Sequence, residues 1–144
     1  MNRIILLFII FFSASSSYGA ELIFNIEKFD TNEGQVLVFL YDKNSQKDFP
    51  KSPKKAVCTK QTKIENLKAK VICNNVINGE YAAVVVHDSN GNGKMDHNFI
   101  GMPKEQFGFS NNFTPFLSPP KFKDCSFKVQ EKLVNINVKM QYIF

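Results

Sequence analysis

The sequence predicts an all-β protein: a single antiparallel β-sandwich of about seven strands with one long phenylalanine-rich loop. Apolar side chains recur at every second position through most of the chain, which is the period of a strand with one buried face. Turn-forming residues separate these runs at short intervals, and no convincing helical period follows the N-terminal apolar segment. Strands of such uneven length favour a sandwich over a barrel.

The N-terminal segment has the pattern of a secretory signal peptide. Arg3 precedes an apolar run over residues 4–12, and the small residues Ser17 and Gly19 follow it. The run is about half of the ~20 residues that a membrane-spanning helix needs. We therefore expect cleavage after Gly19, so that residues 1–19 are removed and residues 20–144 form one exported domain. An uncleaved N-terminal anchor is the alternative.

The strand pattern is clearest in four segments of the mature chain. Near its start, Leu22, Phe24 and Ile26 alternate with more polar neighbours. Both faces are apolar in residues 36–41 and again in residues 81–86, where Val84 is central, as expected for interior strands. Near the C-terminus the apolar series is Val134, Ile136, Val138, Met140 and Tyr142, and a shorter strand is predicted at Cys125, Phe127 and Val129. We expect Phe24, Val38, Val84, Ile136 and Val138 inside the sandwich.

Three cysteines in an exported chain predict one disulfide and one unpaired thiol. A two-residue turn at Glu65-Asn66 would place Cys58 directly opposite Cys73 in a hairpin, close enough for a disulfide. Cys125 would then be free. The alternative is that all three cysteines are buried thiols that pack as small apolar residues.

The segment after residue 87 has the spacing of a calcium-binding loop. Oxygen-bearing side chains occupy alternate positions around Gly93, which would allow a sharp turn. The candidate ligands for Ca²⁺ are Asp88, Asn90, Asn92, the carbonyl group of Lys94, Asp96 and Glu105. Phe99 stands where an EF-hand has its bidentate glutamate, and no helix precedes the loop, so an EF-hand is excluded. A metal-free turn is the alternative, because the same residue types favour tight turns.

Candidates for catalysis are few. No nucleophile elbow, zinc-protease motif, phosphate-binding loop or dinucleotide fingerprint is present, and no catalytic or cofactor-binding residue is assigned. We expect His87 to pack at a strand end and His97 to be exposed. An enzyme whose acid and base groups are drawn from His87, Asp88, Asp96 or Glu105 is a lesser alternative.

The segment between Asp88 and Pro120 lacks a strand pattern, which is unusual for a loop of that length. We expect its aromatic residues Phe99, Phe107, Phe109 and Phe116 to close one end of the sandwich. A ligand-binding surface is the alternative. The net charge of +5 comes from lysines spread along the chain, which does not indicate nucleic-acid binding.

An ordered set of short motifs resembles the bacterial family called domain of unknown function 2141. The motifs are Gly79-Glu80-Tyr81-Ala82, the His87–Asp96 loop pattern, Gly101-x-Pro103-Lys104-Glu105 and Gly108-Phe109-Ser110-Asn111-Asn112, followed by Pro120-x-Phe122-x-x-Cys125-x-Phe127, in which Cys125 replaces a more usual small residue. The resemblance implies a transthyretin-like sandwich, similar to an immunoglobulin fold, exported to the periplasm or exterior of a Gram-negative bacterium. It implies no activity.

Together these observations favour an exported, non-catalytic module with a calcium loop and a protein or glycan partner at the cell envelope. A metal-free envelope accessory protein is the alternative.

Overall fold

The computed structural model describes residues 19–143, which form eight strands in two sheets. The predicted signal peptide therefore lies, except for Gly19, outside the described residues. The strands are β1 (Ala20–Glu27), β2 (Gln35–Asp42), β3 (Cys58–Thr62), β4 (Lys68–Val76), β5 (Gly79–Asp88), β6 (Phe107–Phe109), β7 (Phe127–Val129) and β8 (Leu133–Lys139), and one short helix, α1, spans Phe122–Cys125. No helix within residues 19–143 has the length and apolar character needed to cross a bilayer.

The first sheet has the order β4-β1-β8. β1 pairs antiparallel with β4 but parallel with β8, in register from Glu21 opposite Leu133 to Glu27 opposite Lys139. The prediction of a purely antiparallel sandwich is therefore wrong for this pair. The alternation of apolar side chains fixes which face is buried but carries no information about strand direction.

The second sheet has the order β3-β2-β5, and both β6 and β7 pair with the other edge of β5. β5 is therefore an interior strand, as its two apolar faces predict. β6 lies within the segment that was expected to contain no strand. Its three residues are too few to produce a recognisable alternation.

The sheet that contains β2 and β5 is buried on both faces, so the domain has two apolar cores. Phe24, Val38, Ile136 and Val138 lie between the two sheets, as predicted. Val84 is also buried, but it faces away from the other sheet, towards a second core that includes Phe49 and Phe122. Its predicted place between the sheets is wrong, because segments outside the sheets cover this outer face.

The disulfide between Cys58 and Cys73 is present, with a Cα–Cα distance of 6.4 Å. The register used to predict it is wrong. The turn lies at Asn66-Leu67, with Glu65 opposite Lys68. Beyond this turn the two arms separate, because β3 pairs with β2 and β4 pairs with β1. The disulfide therefore joins the two sheets rather than two strands of one hairpin.

The third cysteine lies in α1 rather than in the strand predicted there, which begins only at Phe127. Cys125 is fully buried and free. Burial raises the pKa of its thiol to about 12, so it remains protonated and unreactive at neutral pH. Its role is packing in the second core.

Candidate functional site

The loop after β5 is organised around the buried carboxylate of Asp88. Its Oδ1 accepts the backbone N–H of Asn92 at 3.0 Å, and its Oδ2 accepts that of Gly93 at 2.8 Å. The side-chain amide of Gln35 also donates to Oδ2, at 2.7 Å. A carboxylate that is fully buried is compensated here by three N–H donors, which fold the loop back over the end of the strand.

Three further predicted ligands converge above Asp88. The side-chain amide of Asn90 donates to Asp96 Oδ2 at 2.6 Å, and that of Asn92 donates to both oxygens of Asp96 at 2.9 and 3.0 Å. These hydrogen bonds, from Asn92 and then Asn90, lower the pKa of the Asp96 carboxyl group. The Lys94 backbone N–H donates to Asn92 Oδ1 at 3.0 Å, so Lys94 is part of the same turn.

Glu105 does fold back onto this loop, and it is buried. Its Oε1 accepts hydrogen bonds from the backbone N–H and the hydroxyl group of Ser89, both at 2.9 Å. Its Oε2 accepts the backbone N–H of Asp96 at 3.0 Å. Glu105 therefore clamps the two ends of the loop together, and both of its oxygens already have protein partners.

The oxygen atoms around this loop fit a hard cation only in part. Ca²⁺ takes six to eight oxygen ligands. The Asp96 carboxylate supplies oxygen, but Asn90 and Asn92 direct amide N–H groups at it, and their Oδ1 atoms accept backbone N–H groups of the loop. Within residues 19–143, no three His, Cys, Asp or Glu side chains are grouped as a metal site. A cation at this loop would therefore depend on the two asparagine side chains.

The turn before β2 supports the loop from below. Gly34 adopts φ of +73°, and a Cβ atom at this position would lie 2.2 Å from the Asp88 carbonyl oxygen and 2.6 Å from Ser89 Cα. The neighbouring Gln35 donates to Asp88, as described above. Gln106 holds the start of the same turn, since its side chain bonds the Lys28 carbonyl group and the Asp30 N–H, each at 3.0 Å.

The two histidines lie apart from these carboxylate contacts. His87 is buried, its Nε2 donates to the Glu33 carbonyl oxygen at 2.9 Å, and its ring packs edge-on against Phe29. His97 is exposed. Among the described residues, no side-chain hydrogen bond joins His87 to Asp88, Asp96 or Glu105. Asp88 and Glu105 accept backbone N–H groups, and Asp96 accepts the side-chain amides of Asn90 and Asn92. His87 therefore forms no hydrogen-bonded pair with these three acids in the described part of the chain.

An apolar cleft of about 520 Å³ opens on the outer face of the second sheet, beside this loop. Its floor consists of side chains from β2, β5 and β6: Phe39, Val84, Val86, Phe107 and Phe109. Met95, which lies in the loop after β5, and Met102, which follows that loop, form part of its walls. A cleft of this size and apolar lining matches the usual dimensions of small-molecule sites.

Prolines are concentrated in the walls of this cleft. The chain contains six prolines, and all of them line it: Pro50, Pro53, Pro103, Pro115, Pro119 and Pro120. Because proline fixes φ, walls made from it lose less conformational entropy when a ligand binds. A ligand-binding surface on the long loop was only the alternative predicted from the sequence. The clustering of prolines outside the strands was a further signal for the cleft.

The phenylalanines of the long loop divide into two groups. Phe107 and Phe109 are buried as expected, but they lie in β6 and face the second core instead of closing one end of the sandwich. The same prediction is wrong for Phe99 and Phe116, which are 99% and 87% exposed. Leu117, next to Phe116, is 88% exposed. Phe116 and Leu117 line the cleft, and Phe99 does not. Their exposure follows from their place in segments that no strand pairing holds against the sheet.

The model of one protein family matches residues 24–137, which is most of the chain. Its description is an uncharacterised protein conserved in bacteria, domain of unknown function 2141. The chain belongs to this family. No curated protein and no solved structure shows significant similarity to it. The disulfide of this bacterial domain is of the kind that persists in oxidising compartments.

The structure explains the residue types of the family motif at residues 108–112 of this domain of unknown function. A Cβ atom on Gly108 would lie 2.5 Å from Val138 Cγ1, so β6 can approach the C-terminal strand only with glycine here. Asn111 and Asn112 both adopt positive φ, which asparagine tolerates better than most residues. Asn112 Oδ1 then accepts the Lys139 N–H at 2.8 Å.

Ser110 completes this motif between β6 and β7. Its hydroxyl oxygen accepts the Ala83 backbone N–H at 2.9 Å and donates to the Cys125 carbonyl oxygen at 2.6 Å. The side chain is fully buried. Ser110 therefore satisfies a backbone donor of β5 at the point where neither short strand reaches it.

Proposed function

We propose that this protein is an exported, non-catalytic binding module whose ligand binds in the apolar cleft. The observation that carries the proposal is the cleft itself, in which Phe116 and Leu117 stand exposed beside an apolar floor. Exposed apolar side chains grouped around a concave surface are typical of ligand sites. The cleft favours an apolar ligand over the glycan that the sequence left open. The contacts of Asp88, Asp96 and Glu105 within the loop, and of His87 with the Glu33 carbonyl group, support a binding role over a catalytic one.

Binding of a hydrophobic fluorescent dye tests this proposal. We expect the mature chain to bind the dye with one site, and Phe116→Ala to weaken binding by about tenfold, since a phenylalanine contact contributes roughly 1.5 kcal/mol. Phe99→Ala is the matched control, because Phe99 is equally exposed and lies outside the cleft lining. Equal losses in the two variants, or no saturable binding, would contradict the proposal.

We also propose that the loop at Asp88–Asp96 binds one Ca²⁺ weakly, at a dissociation constant on the order of 10⁻⁴–10⁻³ M. Asp88, Asn90, Asn92, Asp96 and the Lys94 carbonyl group would hold it, and Glu105 would position the loop. The proposal rests on the spacing of these oxygen-bearing side chains within one loop. Binding of Ca²⁺ would require Asn90 and Asn92 to turn their side-chain oxygen atoms towards the ion, because their N–H groups face Asp96 in this structure. Because Lys94 and Met95 line the cleft, the ion would stiffen one of its walls.

Thermal unfolding of the mature chain tests the calcium site. At Ca²⁺ about ten times the dissociation constant, linkage gives roughly 1.4 kcal/mol of stabilisation and raises Tm by a few degrees. Mg²⁺ should raise it less, because it prefers a smaller octahedral shell. Asp96→Asn should abolish the shift, and Glu131→Gln, an exposed acid elsewhere, should not. Identical melting in about 10 mM Ca²⁺ and in chelator would exclude the site.

A further inference from the structure

We propose that the ligand of the apolar cleft is a long-chain alkyl carboxylate, a fatty-acid-like anion whose chain lies on the sheet and whose head group meets lysines at the edge. This inference rests on the proposed function and specifies its ligand. Three features of the cleft carry it: the nature of its floor, the stiffness and adaptability of its walls, and the sign of its charge.

The floor favours an alkyl chain over a peptide. Phe39, Val84 and Phe109 belong to strands whose backbone groups pair with neighbouring strands, at Phe39–Val84 and Val84–Phe109. The floor therefore presents side-chain carbon to a ligand and few free N–H or C=O groups. A peptide lying there would bury backbone amides without partners, which costs about 1–3 kcal/mol each. An alkyl chain has no such groups.

The walls suit a flexible chain of variable length. Prolines hold three wall segments in place, near Pro50, Pro103 and Pro115. Met95 and Met102 add unbranched thioether side chains, which adjust to irregular apolar shapes. A stiff frame with adaptable contacts accommodates chains that differ by a few methylene groups.

The charge of the lining favours an anionic head group. Lys51 and Lys94 are exposed lining residues, and His97 is the third basic side chain. No Asp or Glu among the described residues lines the cleft. The one ion pair in the described part of the chain joins Lys43 and Glu80, which lie outside the cleft. Within residues 19–143, neither Lys51 nor Lys94 is held in an ion pair, so both are available to a ligand. Besides the hydrogen bonds from Asn92 and Asn90, Lys94 also contributes to the lowered pKa of the nearby Asp96 carboxyl group. Two exposed lysines that each add 0.2–1 kcal/mol to binding correspond to a preference of about twofold to thirtyfold for a carboxylate.

A series of straight-chain carboxylates of increasing length tests whether the cleft binds an alkyl chain. Binding to the mature protein is measured by calorimetry and by dye displacement, with each carboxylate below its micelle concentration. We expect about fourfold tighter binding for each added methylene group until the cleft is filled, followed by a plateau. Affinity that does not depend on chain length would overturn the proposal.

Primary alcohols of the same chain length test the head group. The carboxylate should bind more tightly than the alcohol in the wild type at low salt, and this preference should disappear in about 1 M salt, where screening is strong. The double variant Lys51→Gln/Lys94→Gln should lose the preference while it binds the alcohol normally. Lys60→Gln, an exposed lysine on β3 outside the cleft, should retain it.

The remaining outcomes separate this inference from the proposed function. If alcohol and carboxylate bind equally in the wild type, the cleft binds apolar chains and the anionic ligand is wrong. If the dye binds and neither chain series does, the alkyl ligand is wrong and the binding module stands. If neither the dye nor any chain binds, both fail. Association of the protein with vesicles without binding of free carboxylate would assign the exposed apolar residues to a membrane surface instead.

Discussion

Gly34→Ala is expected to lower the free energy of unfolding by about 2–5 kcal/mol. A residue with a side chain at this positive φ costs roughly 1–3 kcal/mol, and its Cβ atom would collide with the backbone of Asp88 and Ser89. Relief of that collision requires the turn before β2 to move away from the loop after β5, which would break the bond from Gln35 to Asp88. Urea denaturation of the variant and the wild type measures the loss.

Gly91→Ala separates the two causes. Gly91 also has a positive φ, +72°, but no atom lies within 4 Å of a Cβ atom built there. This variant should therefore lose only the conformational contribution, roughly 1–3 kcal/mol, without the added cost of the collision. If Gly34→Ala is no more destabilising than Gly91→Ala, the turn and the loop are not in the close contact described.

Replacement of both Cys58 and Cys73 by serine is expected to lower the free energy of unfolding by about 3 kcal/mol. The cross-link closes a loop with a sequence separation of 15 residues, and a chain-entropy estimate for such a loop gives this value. Because the disulfide joins the sheets through β3 and β4, reductant should destabilise the wild type by a similar amount and leave the double variant unchanged. A wild type that is insensitive to reductant would contradict the role given to this bond.

The oxidation state of the same disulfide also reports on the compartment in which the protein is found. In the native host we expect the protein to be recovered oxidised and to begin at Ala20, because an exported chain meets oxidising conditions. Intact mass under non-reducing conditions measures both properties in one spectrum. A reduced chain that retains residues 1–19 would contradict the proposed export. Cys125→Ala is the control: it should still be recovered with the Cys58–Cys73 disulfide, because Cys125 is not part of that bond.

Whether a strand lies in the interior of a sheet was predictable from the sequence, because an interior strand that is buried on both faces has apolar residues on both faces. The two apolar faces of β2 and β5 identified interior strands, and the structure pairs them directly. The parallel pairing of β1 with β8 was not predictable, because side-chain alternation is the same in either direction. The disulfide was predicted correctly from an incorrect turn. The apolar alternation in residues 58–73 fits a hairpin within one sheet as well as two arms that belong to different sheets.

The residues of the loop after β5 were easier to predict from the sequence than those of the cleft. Local spacing was sufficient to bring Asp88, Asp96 and Glu105 to one loop, since they lie within 18 residues of one another. The contacts of Gln35 and Gln106 depend on a turn that is distant in sequence, so no local pattern identifies them. The cleft depends on which segments cover the outer face of a sheet, and that is a property of the packed chain.

The hydroxyl group of Ser110 helps to protect the edge of β5 from pairing with other chains. β5 is a ten-residue strand rich in valine, and a strand of this kind with an open edge would recruit other chains. β6 and β7 cover the two ends of that edge, and Ser110 occupies an N–H group between them. Detachment of residues 107–112 would therefore uncover the edge from Ala83 to Val86, while Val129 of β7 stayed in the core between the sheets. Self-association of this protein would then begin with a local opening at the C-terminal side, without global unfolding.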